Sequence, residues 1–176
     1  MFELHTERLK ILPLNIEQMK LLRDDPSELE SQLFLNESYT EKYDEVMEKE
    51  IGEVFDIVIK RIESNPFNYT WFTMWQIILK EEKKIIGTCG FNGLPDENGE
   101  VEIGYALKPG YQKKGYMPEV MEEFIRYAFM HPKVKIIKAQ TPVNLIPSQK
   151  LLSNIGFEKA FEKDGIYTWK LKNPNS

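Results

Sequence analysis

Val101-Glu102-Ile103-Gly104-Tyr105-Ala106-Leu107 runs directly into Lys108-Pro109-Gly110-Tyr111-Gln112-Lys113-Lys114-Gly115, and then into Tyr116-Met117-Pro118 and the segment to Met130. The first seven residues read as a strand. The next eight form a Gly-rich basic loop. Pro118 to Met130 has helical spacing, with Val120, Phe124, Tyr127 and Ala128 on one side. Pro118 suits a first helical turn, where its missing N–H costs nothing. A strand, a Gly-rich loop and a helix in direct succession make a phosphate site. The unpaired N–H groups of the first helical turn point into the loop, and the helix dipole favours an anion there. Gly115 permits close backbone approach, and Lys108, Lys113 and Lys114 add positive charge. A surface turn without a ligand is the competing reading. Gly110 and Gly115 have P-loop spacing, but Tyr116-Met117 stands where a P-loop needs Lys and then Ser or Thr. The G-x-G-x-x-G dinucleotide fingerprint is absent.

Upstream, Tyr69 to Lys80 and Lys84 to Phe91 are rich in aromatic and β-branched residues and read as two strands joined through Glu81-Glu82-Lys83. Asn92 to Glu100 is turn chemistry. Asp44 to Ser64 is an amphipathic helix carrying Met47, Ile51, Val54, Phe55, Val58, Ile59 and Ile62 on one face, ended by Asn65-Pro66. Leu29 to Asn36 reads as a short helical piece. Before it, Asn15 with Gln18 forms a capping box, and Asp24-Asp25-Pro26-Ser27 breaks that first helix. Glu7 to Leu14 opens the chain as a short strand. Downstream, Lys135 to Gln140 is a strand, and Pro147 to Ile155 a helix stopped by Gly156. Phe157 to Lys163 and Ile166 to Leu171 form a hairpin turning at Asp164-Gly165. The order is β-α-α, then β-β-β-α-β-α-β-β, without repeats or linkers, and residues 1–176 read as one domain.

Composition narrows the class. The 176 residues carry a net charge of −5 and one cysteine, Cys89, so neither an internal disulfide nor a Cys-rich zinc site is expected. His5 and His131 are too far apart in the chain for a histidine-cluster metal site, and no metal is expected. The chain holds no membrane-length apolar run and no signal-peptide pattern, so a cytoplasmic protein is expected. The acidic balance argues against nucleic acid as a partner. Charge is unevenly spread. Residues 1–63 hold 16 Asp and Glu against 8 Lys and Arg, a net of −8, while the remainder has a net of +3. Either the first third is solvated helix surface, or the two parts face ligands of opposite charge.

Several segments, in order, resemble the GNAT acyltransferase superfamily, and within it the ribosomal-protein-alanine N-acetyltransferase-like branch. Gln112-Lys113-Lys114-Gly115-Tyr116-Met117 resembles the family's pyrophosphate loop, [Q/R]-x-x-G-x-[G/A], and departs from it at Met117. Thr6-Glu7-Arg8-Leu9 with Pro13-Leu14 resembles the branch's opening strand. Ile86-Gly87 to Gly90-Phe91 resembles its third strand, and Glu102-Ile103-Gly104-Tyr105 its fourth. Asn144 to Ser148, then Gly156-Phe157, resembles its late Asn-x-x-Ser…Gly-Phe segment. The resemblance covers about residues 6 to 172. It implies an α/β (α+β) fold: a central mixed, mostly antiparallel sheet of about seven strands, flanked by helices, with a splayed V between strands four and five.

The same resemblance implies N-acetyl transfer from acetyl-CoA to a primary amine in a ternary complex. A protein N-terminus, a polyamine and a small-molecule amine are all candidate acceptors. A CoA-binding sensor or partner module without catalysis is the alternative. By similarity, the backbone of Lys113, Lys114, Gly115, Tyr116 and Met117, with Gln112, holds the pyrophosphate. A larger residue at Met117 narrows the approach of the phosphates. Tyr105, Ala106 and Leu107 pair with the pantetheine arm, and Asn144 contacts CoA. Glu102 stands where many relatives carry a glutamate general base; an ordinary strand glutamate is the competing reading. Leu152 occupies the position where many relatives have an acidic tyrosine. The branch's serine acid corresponds to Ser148, in a segment one residue longer than usual; a helix cap is the competing reading there. Cys89, in an apolar strand without a basic partner, is discounted as a nucleophile. Trp71, Phe72 and Trp75 either wall the acceptor site or pack the core.

Overall fold

A computed structural model describes residues 2–176. Its centre is one sheet of eight strands in the order β1-β2-β3-β4-β5-β6-β8-β7. The strands are β1 (Leu4–His5), β2 (Leu9–Pro13), β3 (Met74–Leu79), β4 (Lys84–Phe91), β5 (Glu100–Leu107), β6 (Ile136–Pro142), β7 (Glu158–Lys163) and β8 (Ile166–Lys172). Only β5 and β6 pair in parallel, because helix α4 (Tyr116–Met130) crosses over between them. The extra strand beyond the expected seven is β1, two residues that pair antiparallel with β2 through Leu4 and Ile11. So short a strand has no periodicity to read.

The sheet buries both faces. On one, Val120, Met121, Phe124 and Ala128 of α4, with Leu152 of α5 (Ile146–Asn154), pack on Ile11, Ile77, Ile103 and Ile137. On the other, Met19 of α1 (Ile16–Asp24), Leu29 of α2 (Pro26–Gln32) and Ile59 and Ile62 of α3 (Glu45–Ser64) pack on Leu12, Leu14, Ile78 and Ile85. Helix α1 starts as its sequence dictates: Asn15 accepts from the Gln18 N–H at 3.0 Å, and Gln18 accepts from the Asn15 N–H at 3.0 Å.

Two boundaries differ from expectation. Helix α2 begins at Pro26 instead of Leu29. Pro26 serves as a first-turn residue and Asp25 caps it, accepting from the Glu28 N–H at 3.1 Å. The segment that breaks α1 therefore also starts α2, which ends where Phe34 takes a positive φ of 56°. Residues Pro66–Trp71 form 3-10 turns instead of the first half of a strand. There the Thr70 carbonyl accepts from the Trp75 indole at 2.8 Å. Trp71 and Trp75 are buried on the α4 face, where Phe91 stacks on Phe124 at 4.3 Å, so both pack the core. The closing hairpin turns at Asp164 and Gly165, both with positive φ (52° and 76°), as a two-residue turn requires.

Candidate functional site

Strands β5 and β6 stay paired only from Glu100 with Ile136 to Ile103 with Ala139. Beyond that, Gly104 to Leu107 remain paired with β4, and Gln140 to Pro142 with β8. Among the described residues nothing bridges the two, so the sheet opens as a V. The N–H groups facing the V follow from strand parity. The Glu102 carbonyl accepts from Asn92 N–H at 2.9 Å and the Lys108 N–H donates to the Ile86 carbonyl at 2.9 Å, both toward β4. A strand turns its backbone groups alternately to its two sides, so the N–H groups of Tyr105 and Leu107 face the opening.

The V leads to the basic loop. Gln112 folds back to donate to the Leu107 carbonyl at 3.1 Å. Lys113 and Gly115 both take left-handed φ, 61° and 78°, and Gly115 sits at the N-cap of α4 without a side-chain cap. The first-turn N–H groups of this 15-residue helix therefore have no side-chain cap and face the loop. Arg8, on the β1–β2 connection, holds the loop from behind. Its guanidinium donates to the carbonyls of Lys114 and Gly115, each at 3.1 Å, and to Glu119 of α4 at 2.7 Å. It also lies 4.5 Å from the centre of the Tyr116 ring. Burial pushes the Glu119 carboxyl upward, but hydrogen bonds from Thr6, the Arg8 N–H and the Arg8 guanidinium outweigh it and hold the carboxyl below its usual range.

Two of the expected loop features change. Met117 points into the core, 7% exposed, so its size does not narrow the mouth of the loop. Lys108 leaves the loop altogether. It continues the even-numbered side of β5, is 5% exposed, and donates to the Ser38 carbonyl at 2.8 Å on the opposite face. Only Lys113 and Lys114 remain as exposed lysines of the loop.

Ser148, in the first turn of α5, shares a hydrogen bond of 2.7 Å with the Tyr105 hydroxyl. It does not cap its helix, which has no side-chain cap. Burial raises the Tyr105 pKa and the Ser148 contact opposes that rise. The family resemblance implies a role for the Tyr105 backbone alone; the structure adds its side chain as the partner of Ser148. Asn144 is exposed in the turn before α5. Glu102 occupies the other side of the strand. Its neighbours Val101 and Ile103 enter the α4-side core, so the half-buried Glu102 carboxylate faces the α3 side, where its side chain has no partner among the described residues. Glu102 and Ser148 thus flank the strand from opposite faces. Cys89 is wholly buried and burial pushes its thiol well up, which removes the nucleophilic form.

On the α3 side a cavity of about 250 Å³ lies between the sheet and the helices, lined by Ser38, Tyr43, Phe55, Gln76, Ile85 and Lys108 among others. Its three carboxylates are engaged. Glu30 accepts from the Ser38 N–H and hydroxyl, Glu41 from Lys84 at 2.6 Å, and Glu48 from the Tyr43 N–H at 2.7 Å. Among the described residues no group of His, Cys, Asp and Glu is placed to hold a metal ion, and no helix is long and apolar enough to cross a membrane.

Comparison with known proteins agrees with this geometry. Residues 20–158 match the family model described as an acetyltransferase (GNAT) domain. The chain is 31% identical over 156 residues to an uncharacterized N-acetyltransferase, p20, of Bacillus licheniformis, covering 89% of this chain and 82% of the relative. A ribosomal-protein-S5-alanine acetyltransferase from Vibrio fischeri shares the fold with a TM-score of 0.65 at 17% identity, over 99% of this chain and 98% of that one. The ribosomal L7/L12 α-N-protein acetyltransferase RimL, solved in complex with coenzyme A, superposes with a TM-score of 0.64 at 13% identity, over 97% and 98% of the two chains.

Proposed function

The chain belongs to the GNAT acetyltransferase family, and from that premise we propose that it transfers an acetyl group from acetyl-CoA to a primary amine by direct attack in a ternary complex. One observation carries the reading. The open V runs from the left-handed loop at the start of α4 to the free N–H groups of Tyr105 and Leu107. The loop and helix N-terminus suit a pyrophosphate, and the strand edge suits an extended amide-bearing arm.

The chemistry follows from which groups flank the strand. An alkyl amine with a pKa near ~10 is about one part in a thousand unprotonated at neutral pH, so a base must take a proton before or during attack. Glu102, on the α3 side and without a partner, supplies that base directly or through one water. The amine nitrogen then bonds to the thioester carbon, and the oxyanion forms opposite backbone N–H donors at the V. The C–S bond breaks as the carbonyl reforms. The leaving thiolate takes a proton from the Ser148–Tyr105 hydroxyl pair on the other face. The non-catalytic alternative loses support: Met117 turns inward, and the Tyr105 hydroxyl supplies a phenol despite Leu152.

The test is release of CoA thiol from acetyl-CoA in the presence of amines and short peptides. Turnover with at least one amine is expected. Tight acetyl-CoA binding without turnover on any acceptor would sink the proposal.

A further inference from the structure

Gln76 lies in the middle of β3, is 2% exposed, and lines the cavity on the α3 side. Its Nε2 has no hydrogen-bond partner, and its side chain makes no other hydrogen bond to a described residue. A buried carboxamide whose Nε2 meets no acceptor opposes folding, and native cores rarely retain one without a use. Its place in the sheet suggests the use. Gln76 is in register with Thr88, and Thr88 with Ala106, so it stands on the same cross-strand row as the open segment of β5. Two strand spacings separate it from Ala106, roughly 10 Å. Strand parity puts Ala106 and Gln76 on the same face, since Trp75, Ile77, Ile103 and Tyr105 all pack on the other.

We infer that this cavity is the acceptor subsite and that it takes an amide group, held by the Gln76 carboxamide. The inference rests on the acetyltransferase reading and names what that reading leaves open. A peptide or carboxamide group presents one N–H and one C=O side by side, the complement of both ends of Gln76. A polyamine offers donors alone and a hydrocarbon neither. The cavity does not call for a cation either. Glu30, Glu41 and Glu48 are engaged by Ser38, Lys84 and the Tyr43 N–H, and the buried Lys108 ammonium shares the space. At about 250 Å³ it is slightly smaller than the ~300 Å³ at which drug-sized sites begin, which suits the amide-bearing end of a short acceptor and not a long chain.

The experiment assays CoA-thiol release by wild type and by Gln76→Met. The acceptors are one-, two- and three-residue alanine amides, each with an alkylamine or diamine of matching length. Methionine keeps the length of the side chain and carries no amide. The variant-to-wild-type ratio for each amine cancels differences in amine pKa. We expect kcat/KM to fall about three- to tenfold for the amides, the loss of one or two neutral hydrogen bonds, and to stay within about twofold for the alkylamines. The KM for acetyl-CoA stays unchanged, and Tm holds or rises because a buried unmet group is gone. An equal fall for both kinds of amine, or a lower Tm with unchanged selectivity, overturns the inference.

A second readout needs neither turnover nor a variant. Alaninamide added to wild type should shift the NMR signals of the Gln76 side-chain amide, and butylamine should not; no shift with alaninamide overturns the inference. If alaninamide shifts them and no amine releases thiol, the pocket stands and the transfer reading fails. If thiol is released but Gln76→Met leaves every amine unaffected, the reverse holds.

Discussion

Arg8 makes the loop at the start of α4 testable without touching the residues assigned to chemistry. Arg8→Ala removes hydrogen bonds to the Lys114 and Gly115 carbonyls, the ion pair with Glu119, and the contact with the Tyr116 ring. The two carbonyls are exposed, and water replaces part of each loss, so each contributes about 0.5 kcal/mol. The ion pair joins a 43% exposed guanidinium to a 19% exposed carboxylate; after discounting for screening it contributes about 0.5–1 kcal/mol. The ring contact adds about 0.5–1 kcal/mol. The sum is about 2–3 kcal/mol, which for a chain of this length lowers Tm by roughly 4–12 °C. Half of it, spent in ordering Lys113 to Gly115, weakens CoA about tenfold, and the whole of it about a hundredfold. Calorimetric titration with CoA should therefore give a Kd raised ten- to a hundredfold, while kcat at saturating acetyl-CoA changes little. Arg8→Lys recovers part of the stability through Glu119 but little of the affinity, because an ammonium cannot span both carbonyls and the carboxylate. The Glu119 carboxyl has a lowered folded pKa, so its contribution is full above its unfolded value, near ~4.3, and is lost as pH falls through the folded one. The Tm of wild type should consequently fall more steeply below about pH 4 than that of Glu119→Gln. A CoA Kd within twofold of wild type, alongside a lower Tm, would refute the reasoning: Arg8 would then hold the fold and not the loop.

Three further outcomes follow from the same geometry. Glu102→Gln should lower kcat/KM by about 10²–10³-fold at neutral pH and recover as pH approaches the amine pKa, because the lost group is a base; an unchanged pH–rate profile counts against it. Tyr105→Phe and Ser148→Ala should each lower kcat about tenfold or more, and the double variant should fall little further, since the two hydroxyls share one bond of 2.7 Å; multiplicative losses would mean they act separately. Lys108→Met should destabilise by about 1–3 kcal/mol, because the Ser38 carbonyl and the buried Glu30 lose a facing charge; part of this should return in Lys108→Met with Glu30→Gln, read by urea unfolding.

Much of the fold was legible because its signals are local. The Asn15–Gln18 capping box, the apolar stripe of α3 and the Asp164-Gly165 turn each depend on residues within a few positions of one another. The loop after β5 was legible for the same reason. What escaped depends on distance along the chain. Arg8 reaches Lys114 across 106 positions, and no residue near either announces it. Gln76 reads as one polar residue in an apolar strand, and its lack of a partner exists only once the sheet is folded. Lys108 is different, because its signal was present. Val101, Ile103, Tyr105 and Leu107 alternate, so position 108 belongs with Glu102 and Ala106 on the other face. Counting the lysine with the loop ignored that parity.

The charge division also changes meaning. An acidic first third facing the acceptor suggests a cationic guest, yet the carboxylates nearest the cavity already bond to Ser38, Lys84 and a backbone N–H. Charges so engaged still set a field around the molecule, which raises the encounter rate of a cationic amine. They do not select among monoamines, because each protonated monoamine carries the same single charge to the same field. Selection falls to short-range contacts that differ between acceptors. Gln76 is such a contact: it is buried, unmet, and on the row that leads to the V. Field and contact also separate by salt. Screening shrinks the first and leaves a buried hydrogen bond nearly untouched, so the contact inferred at Gln76 predicts a preference for amide-bearing acceptors that survives high ionic strength and is lost in Gln76→Met.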